Sequence, residues 1–201
     1  MERLICVLVG YVFGLIQTGY IYGKKNGVDL RKKGSGNAGT TNALRTMGWK
    51  AGAVTLLGDC FKCVAAVVVV HLIYGKTHTD MMPLLSMYAG MGAVLGHNYP
   101  FYLKFKGGKG IAATAGLIIS TTNIWIVLIC LAAFIAIVAA TRYVSLGSMT
   151  VVTIYLISVI VYGQHGGFGV ENVSYLHEMY GVAAFLMILA FWRHRANIKR
   201  L

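Results

Sequence analysis

The stretch "IWIVLICLAAFIAIVAAT", residues 124–141, decides the fold class of this chain, because none of its side chains carries a charge. A transmembrane helix needs about 20 consecutive apolar residues to cross a hydrocarbon core of about 30 Å. A bilayer offers the backbone no water, so a segment of this kind satisfies its own polar groups by forming a helix. The stretch therefore predicts a membrane-spanning helix.

The composition of the whole chain indicates the same class. The chain has 201 residues, of which 57% are hydrophobic and 12% are charged, and its mean hydropathy is +0.69. Soluble domains contain about 25% charged residues. We therefore expect an all-α integral membrane protein, with a single membrane-embedded domain over residues 1–201 and no separate soluble domain.

Apolar runs follow one another along the chain and give the expected number of spans. They cover residues 4–23, 51–74, 82–97, 111–121, 124–141, 147–163 and 178–193. The fourth run, "IAATAGLIIST", is too short to cross comfortably, so it either crosses with little tilt and thins the bilayer, or enters the membrane and returns. We expect a seven-transmembrane helix bundle with a short fourth span; a returning fourth run would leave six.

The basic residues predict the orientation of these spans. Fifteen of the 18 Lys and Arg lie in four segments, residues 24–50, 98–110, 142–146 and 193–201. By the positive-inside rule these segments are cytoplasmic, which places the N-terminus outside and the C-terminus in the cytoplasm. The four segments alternate correctly with seven spans, which favours seven over six.

The first polar cluster is "RKKGSGNAGTTNALR", residues 31–45, whose glycines have the GxGxxG spacing. A dinucleotide-binding turn follows a strand within a βαβ unit, whereas this one follows an apolar span, so the nucleotide interpretation fails. A glycine-rich loop can still present backbone N–H groups to an anion. A helix capped near Thr40 or Thr41 would add its positive end and place Arg45 one turn beyond Thr41. The alternative is a flexible loop before a short amphipathic helix.

The second cluster, "GHNYPFYLKFKGGKGIA", covers residues 96–112. Its GGKG lacks the GxxxxGK[ST] spacing of a nucleotide-binding P-loop. We interpret it as a second anion-binding turn, in which Lys104 and Lys109 supply positive charge. The glycines that would allow close backbone approach are Gly107, Gly108 and Gly110. The alternative is an aromatic and basic loop that only anchors the chain at the interface.

The third cluster combines "TRYVSLGS", residues 141–148, with "WRHRANIKRL", residues 192–201. Ser145 lies at the start of a span, where it could bind substrate or simply cap the helix. His194 and Asn197 are three residues apart and therefore share one face of a helix. A basic tail alone would only fix the topology.

Charged residues also occur within and between the spans. Asp59 and Lys62, three positions apart in the second span, are costly at this depth unless they pair or reach water, so we expect an internal structural pair. In the cytoplasmic loops the only acidic residue is Asp29, which leaves magnesium-dependent phosphoryl transfer without metal ligands. The three clusters together predict phosphorylated substrates beside lipid, with no metal, no cofactor and no nucleic-acid partner.

Four motifs carry a family resemblance: "GSGNAGTTNALR", "GHNYPFYLKFKGGKGIAA", "RYVSLGS" and "HRANIKRL". In this order they resemble the motifs of the bacterial acyl-phosphate:glycerol-3-phosphate acyltransferases (PlsY), from about residue 10 to the C-terminus. The resemblance implies a seven-span fold in the bacterial inner membrane with a cytoplasmic active site. It also implies transfer of an acyl chain from acyl phosphate to the sn-1 hydroxyl of glycerol 3-phosphate, giving lysophosphatidic acid and phosphate, the first step of phospholipid synthesis.

Carried over position by position, the resemblance assigns roles to individual residues. The expected catalytic residues are Ser35, Arg45, His194 and Asn197. The expected substrate-binding residues are Gly36, Asn37, Thr41, Lys104, Gly107, Gly108, Lys109, Gly110 and Ser145. Many members of the family have Glu where this chain has Ala196, so no role of that acid transfers here. We expect acyl phosphate, glycerol 3-phosphate and membrane lipid as partners of a monomer.

The expected chemistry leaves alternatives open. Acyl phosphate has a good leaving group, so positioning and charge neutralisation can supply most of the catalysis. His194 is one candidate for the base, and a substrate phosphate is the other. A covalent route would acylate Ser35 after activation by His194, although GxSxG and a third carboxylate are missing. A small membrane transporter of phosphate esters would use the same basic loops, but it predicts polar spans and an internal repeat.

Overall fold

The computed structural model describes residues 1–199, and in that range every regular element is helical. The α-helices are α1 (Glu2–Gly14), α2 (Thr18–Lys25), α3 (Thr40–Met47), α4 (Trp49–Tyr74), α5 (Met82–Asn98), α6 (Ile111–Thr121), α7 (Ile124–Thr141), α8 (Val144–Gln164) and α9 (Val173–Ile198). Short 3-10 turns cover Leu30–Lys32 and Phe101–Leu103. Arg200, one of the basic residues of the tail, lies outside the described residues.

Within residues 1–199, five helical segments are long and apolar enough to cross a membrane. They are Glu2–Lys25, which joins α1 and α2, Trp49–Tyr74, Ile124–Thr141, Val144–Gln164 and Val173–Ile198. Helix α5 has 17 residues, or about 25 Å at 1.5 Å per residue. The fourth apolar run forms α6, which has only 11 residues and is about 16 Å long. The prediction of an all-α integral membrane fold with a short fourth segment is confirmed.

Small residues bring α1 and α5 into backbone contact. A Cβ atom on Gly10 or Gly14 would overlap backbone atoms of α5, and one on Gly92 or Gly96 would overlap carbonyl groups of α1. Lipid tails are as apolar as leucine, so helices in a membrane associate through close packing of this kind. Gly92 and Gly96 of the third apolar run therefore serve helix packing.

The two ends of the bundle differ in chemistry. One end carries the loops 26–39, 99–110 and 142–143 and the last turn of α9; we call it the basic end. At the opposite end, where α6 stops short, a cavity of about 510 Å³ opens beside Ser86, Thr121 and Tyr162. The short helix thus leaves its gap away from the basic loops, and the polar clusters of the sequence meet at the basic end.

Candidate active site

A single buried side chain organises the loop before α3. Asn42 is 2% exposed, and its Oδ1 accepts a hydrogen bond from the Ser35 backbone N–H at 2.9 Å. Its amide group donates to the carbonyl oxygens of Leu30, Lys33 and Asn37 at 2.8–3.0 Å. The loop that carries the first predicted site residues is therefore folded around Asn42. The sequence does not single out this residue, because an Asn inside a helix has no fixed role.

The backbone of this loop has the conformation that its glycines allow. Gly34 and Gly36 have φ angles of 59° and 70°, in the left-handed region where other residues are strained. Asn37 Oδ1 accepts a hydrogen bond from the Gly39 backbone N–H at 2.8 Å. Helix α3 begins at Thr40, as predicted, but its N-cap is Gly39 and no side chain caps it. The prediction of a threonine cap is wrong, because the Asn37 turn sets the entry into the helix.

Two predicted site residues in and after the first loop have side chains that bind no other part of residues 1–199. Within residues 1–199, neither the Ser35 hydroxyl nor the Arg45 guanidinium makes a hydrogen bond or an ion pair, and both residues are exposed. Thr41 is exposed as well, and the Thr40 hydroxyl is buried without a partner. These groups can therefore bind a ligand without first breaking a hydrogen bond or an ion pair within the protein.

The acidic residue of the same loop is already engaged. The Arg31 side chain donates two hydrogen bonds to the Asp29 carboxylate, at 3.1 and 2.9 Å. These bonds lower the pKa of Asp29, so this carboxylate stays ionised and paired. Because Asp29 is paired with Arg31, its charge does not offset that of Arg45.

The glycine loop of residues 107–110 sits directly on the end of α5. The Gly107 N–H donates to the Asn98 carbonyl at 3.2 Å, and the Gly108 N–H donates to the His97 carbonyl at 3.1 Å. A Cβ atom on Gly108 would overlap the His97 ring. The backbone amides of Gly107 and Gly108 thus donate to α5 and are not left for an anion. Of the roles predicted for these glycines, close approach of the backbone remains.

Helix α6 begins just after this loop. Gly110, with φ of 84°, is its N-cap, and the first N–H groups of a helix have no partner within it. Asn98 is fully buried, and neither its Nδ2 nor its Oδ1 has a hydrogen-bond partner in the described part of the chain. Its Oδ1 lies beside Gly110. An unsatisfied buried amide next to a helix N-terminus suits a bound anion or hydroxyl.

Two contacts tie the glycine loop to the end of α9. The Arg193 guanidinium donates to the carbonyl oxygens of Gly107 and Gly108, at 3.1 and 2.7 Å, and lies 5.1 Å from the centre of the Tyr99 ring. Lys109 Nζ donates to Asn197 Oδ1. The structure therefore brings together the second and third predicted clusters. Arg193 therefore positions the glycine loop, a contact that its place in a basic tail did not indicate.

His194 is held in one tautomer. Its Nδ1 lies 2.8 Å from the Ala190 carbonyl oxygen, and a carbonyl can only accept, so Nδ1 carries the proton in the neutral ring. The other nitrogen, Nε2, then has a lone pair. The side chain is 4% exposed and so belongs to the interior of the bundle.

A buried charged group lies below the glycine loop. Lys62 Nζ donates to Asp59 Oδ1 at 2.8 Å and to the Ile16 carbonyl at 2.6 Å. It also lies 2.8 Å from His97 Nδ1. The predicted structural pair of Asp59 and Lys62 is confirmed, and it also fixes the histidine ring on which Gly108 rests.

The remaining predicted site residues, Lys104 and Ser145, make no side-chain hydrogen bond or ion pair that ties them to the other site residues in the described range. Lys104 has φ of 55°, is exposed, and makes no side-chain hydrogen bond within residues 1–199. Ser145 lies in the first turn of α8, which no side chain caps, and it contacts none of the other predicted residues by a hydrogen bond in the described range. No hydrogen bond there joins the loop of Ser35 to the glycine loop. The Tyr102 hydroxyl, from the turn before the glycine loop, donates to the Leu15 carbonyl at 2.6 Å between α1 and α2, and the Ala38 carbonyl of the first loop lies against Gly19 in α2.

Fold and site together define a helical integral membrane protein with a candidate anion-binding site at the basic end of its bundle. The family model described as "Glycerol-3-phosphate acyltransferase" matches residues 4–201. The chain therefore belongs to the glycerol-3-phosphate acyltransferase family, as the motifs predict.

Individual relatives match over nearly the whole chain. A glycerol-3-phosphate acyltransferase of Clostridioides difficile (strain 630) is 43% identical over 199 residues, which are 98% of this chain and 91% of the relative. That of Bacillus subtilis (strain 168) is 38% identical over 198 residues, 97% of this chain and 91% of the relative.

Solved structures of PlsY (YgiH), an integral membrane glycerol 3-phosphate acyltransferase, have the same fold. Its glycerol 3-phosphate form matches with a TM-score of 0.83 and 30% identity, over 100% of this chain and 92% of that one. Its lysophosphatidic acid form matches with a TM-score of 0.81, also at 30% identity, over 100% and 91% of the two chains.

Proposed function

We propose that this chain transfers an acyl group from acyl phosphate to the sn-1 hydroxyl of glycerol 3-phosphate, producing lysophosphatidic acid and phosphate. The observation that carries the proposal is that three of the predicted site residues at the basic end, Ser35, Arg45 and Lys104, are exposed and make no side-chain hydrogen bond or ion pair within residues 1–199. Two cations and a hydroxyl beside glycine-rich loops suit phosphate oxygens, which favour Arg and backbone N–H donors. Family membership supports the same substrates.

The reaction needs little more than positioning and charge neutralisation. The hydroxyl oxygen of glycerol 3-phosphate attacks the acyl carbon, a new ester bond forms, and the anhydride bond breaks with its electron pair leaving on phosphate. Arg45 and Lys104 offset the charge on the phosphate oxygens. Ser35 donates its O–H to a phosphate oxygen or to the developing oxyanion. No metal or cofactor takes part in these steps.

The proton of the attacking hydroxyl goes to His194 Nε2 in this proposal. The Ala190 carbonyl holds Nδ1 as the protonated nitrogen, so the lone pair of Nε2 is already set up to accept a proton. Asn197, one turn away, orients the tail through its contact with Lys109. Asn98 and the start of α6 would bind the glycerol or its phosphate, since both offer unsatisfied polar groups.

A direct transfer is favoured over an acyl-serine intermediate. An activated serine is hydrogen-bonded to its base, and no such bond joins Ser35 to His194 within residues 1–199. Incubation with radiolabelled acyl phosphate, without glycerol 3-phosphate, should leave no label on the protein. Label on wild type that is lost in Ser35→Ala would establish the covalent route instead.

The decisive assay measures phosphate release from palmitoyl phosphate by the purified protein. Release should depend on glycerol 3-phosphate, and palmitoyl-coenzyme A should not replace the donor. Arg45→Ala should abolish most of the rate. Arg195→Ala, which removes an exposed arginine that stacks 4.5 Å from Trp192 at the same end, is the matched control and should stay near wild type. A transporter of phosphate esters would release no phosphate.

The topology belongs to the same proposal: seven spans in the bacterial inner membrane, with the N-terminus outside and the basic end and C-terminus in the cytoplasm. The distribution of Lys and Arg supports it, and α6 would be the short fourth span. In a cysteine-free background, Lys106→Cys should react with an impermeant thiol reagent only in inverted vesicles, and Lys76→Cys only in intact cells. The reverse pattern would invert the topology. Each proposed site residue comes from one chain, so a monomer suffices.

A further inference from the structure

The glycine loop packs against the ring of His97 with no free space between them. A Cβ atom on Gly108 would lie 1.9 Å from His97 Nε2, and one on Gly107 would lie 2.0 Å from the His97 carbonyl oxygen. The ring is buried, since His97 is 2% exposed. Protein interiors are close-packed, so a turn of this ring would move the loop that rests on it. The orientation of the His97 ring therefore sets the position of the glycine loop.

A single hydrogen bond holds the His97 ring within residues 1–199. Lys62 Nζ lies 2.8 Å from His97 Nδ1, and an ammonium group can only donate. Nδ1 is therefore the acceptor, and in the neutral ring the proton is on Nε2, the nitrogen that lies against Gly108. Asp59 Oδ1 is 3.6 Å from Nδ1, which is beyond hydrogen-bonding distance. The orientation of the ring thus depends on Lys62.

Lys62 reaches the ring from a fixed position. An ammonium group has three N–H donors, and the other two of Lys62 go to Asp59 Oδ1 at 2.8 Å and to the Ile16 carbonyl at 2.6 Å. The residue is 4% exposed. Replacing a buried ion pair by well-packed apolar residues is often neutral or stabilising, so the pairing with Asp59 alone is a weak reason for a lysine here. The bond to His97 supplies a second reason.

The opposite side of the glycine loop is held by α9. The Arg193 guanidinium donates to two carbonyl groups of the loop, and the next residue, His194, is the base in the proposed function. The loop leads into α6, whose first N–H groups and the neighbouring Asn98 amide are the proposed site for glycerol 3-phosphate. A loop that is held between His97 and Arg193 therefore keeps the acceptor substrate in a fixed position relative to the base.

We propose that Lys62 is a positioning residue for glycerol 3-phosphate, because through the His97 ring it holds the glycine loop in the conformation that binds this substrate. The inference rests on the proposed function. The three donors of Lys62 are all used within the protein, so it has none left for a substrate. Its loss lowers the population of the binding-competent loop, and saturating substrate restores that population. The effect therefore falls on KM for glycerol 3-phosphate and not on kcat.

The test uses the double variant Asp59→Leu with Lys62→Met, which removes the bond to His97 without leaving a buried charge unpaired. We expect KM for glycerol 3-phosphate to rise about tenfold, the factor that corresponds to one hydrogen bond, with kcat within about threefold of wild type. Arg3→Met is the matched control. It breaks the ion pair with Glu178 toward the opposite end of the bundle, so it should lower the melting temperature without raising this KM.

Hydrogen exchange measures the order of the loop directly and needs no turnover. The amides of Gly107 and Gly108 donate to carbonyl groups of α5, so their exchange reports opening of the loop. The peptide that contains them should exchange about tenfold faster in the double variant and at the wild-type rate in Arg3→Met. A lysine that serves stability alone would not change this local rate once stability is restored.

An unchanged KM for glycerol 3-phosphate in the folded double variant would overturn the inference, as would unchanged exchange of the loop or a loss confined to kcat. Asp59→Val with Lys62→Leu is a second apolar pair, to be used where the first does not fold. Failure of both pairs to fold would make Lys62 a stability residue and would also overturn the inference. If the wild-type protein releases no phosphate, the proposed function fails, and the exchange comparison still decides whether Lys62 orders the loop.

Discussion

Replacing Asn42 by Ala tests whether the loop of Ser35 is a built site. The substitution removes the acceptor of the Ser35 N–H and the donors to three carbonyl groups. Lys33 and Ser35 are exposed and can regain water, but Leu30 is 0% exposed, so its carbonyl stays unsatisfied. A buried unsatisfied group costs about 1–3 kcal/mol and an ordinary lost hydrogen bond about 1 kcal/mol. We estimate a loss of about 2–4 kcal/mol for the ordered loop.

This loss corresponds to roughly a 30- to 1,000-fold smaller population of the ordered loop. Substrate binding to a conformation that is only partly populated is weakened by that fraction. Any stability that the wild-type loop holds in reserve offsets part of this loss, so 1,000-fold is an upper limit, and we expect kcat/KM for glycerol 3-phosphate to fall about 30-fold. The measurement is the initial rate of phosphate release from palmitoyl phosphate at varied glycerol 3-phosphate.

The matched control is Asn26→Ala. Asn26 is exposed, and within residues 1–199 its amide donates only to the Tyr22 carbonyl one turn earlier, at 2.8 Å, so this variant should stay within about twofold of wild type. Asn42→Asp keeps an acceptor for the Ser35 N–H but turns a carboxylate toward the three carbonyl groups, and should be no better than Asn42→Ala. A folded Asn42→Ala protein within threefold of wild type would refute the reasoning.

Three further substitutions probe the rest of the site. His194→Gln removes the lone pair of Nε2, and kcat should fall about 100-fold; a kcat within threefold of wild type would assign the proton to a substrate phosphate. Lys62→Met leaves Asp59 buried and unpaired, and the free energy of unfolding in detergent should fall by about 3–5 kcal/mol. The double variant Asp59→Leu with Lys62→Met should recover most of this loss, and a double variant as unstable as the single one would contradict the pairing. Gly96→Leu forces side-chain atoms into α1, so the melting temperature should drop, and an unchanged value would disprove the close packing of α1 and α5.

The sequence predicted those features that depend on composition and on local spacing. An uncharged run such as residues 124–141 identifies a span whatever its neighbours are, and basic loops that alternate with spans predict which polar clusters share one end. The pairing of Asp59 with Lys62 was predictable because both residues lie on one turn of one helix, three positions apart. The start of α3 at Thr40 agrees with the expected start near Thr40 or Thr41, although the threonine cap from which it was predicted is not made in the described chain.

Features that depend on distant contacts were not predictable. The bond from Arg193 to the Gly108 carbonyl joins residues 85 positions apart, and nothing in a basic tail distinguishes this arginine from its neighbours. The role of the glycines near residue 108 was also only partly predicted. These glycines lack side chains and so permit close backbone approach, as predicted. The group that approaches them within the chain is the backbone of His97 and Asn98, whose carbonyls accept hydrogen bonds from the amides of Gly107 and Gly108. The count of five clearly spanning segments likewise depends on where α5 and α6 end, which local apolarity does not fix.

The candidate active site is marked by polar side chains that lack hydrogen-bond partners in the protein, beside others that have them. The polar groups of Asn42, Lys62 and Arg193 make hydrogen bonds to the backbone and to neighbouring side chains. These bonds fix the two loops and the end of α9. The side chains of Ser35, Arg45 and Lys104 stay without protein partners in the described chain, although the Ser35 backbone is fixed by its hydrogen bond to Asn42. Water-facing cations at this end also set the topology, but cations held in place around two ordered loops can in addition neutralise a phosphate without reorganising first. Substitutions in the first group should therefore affect stability and loop order together, and substitutions in the second should affect the rate while the protein stays folded.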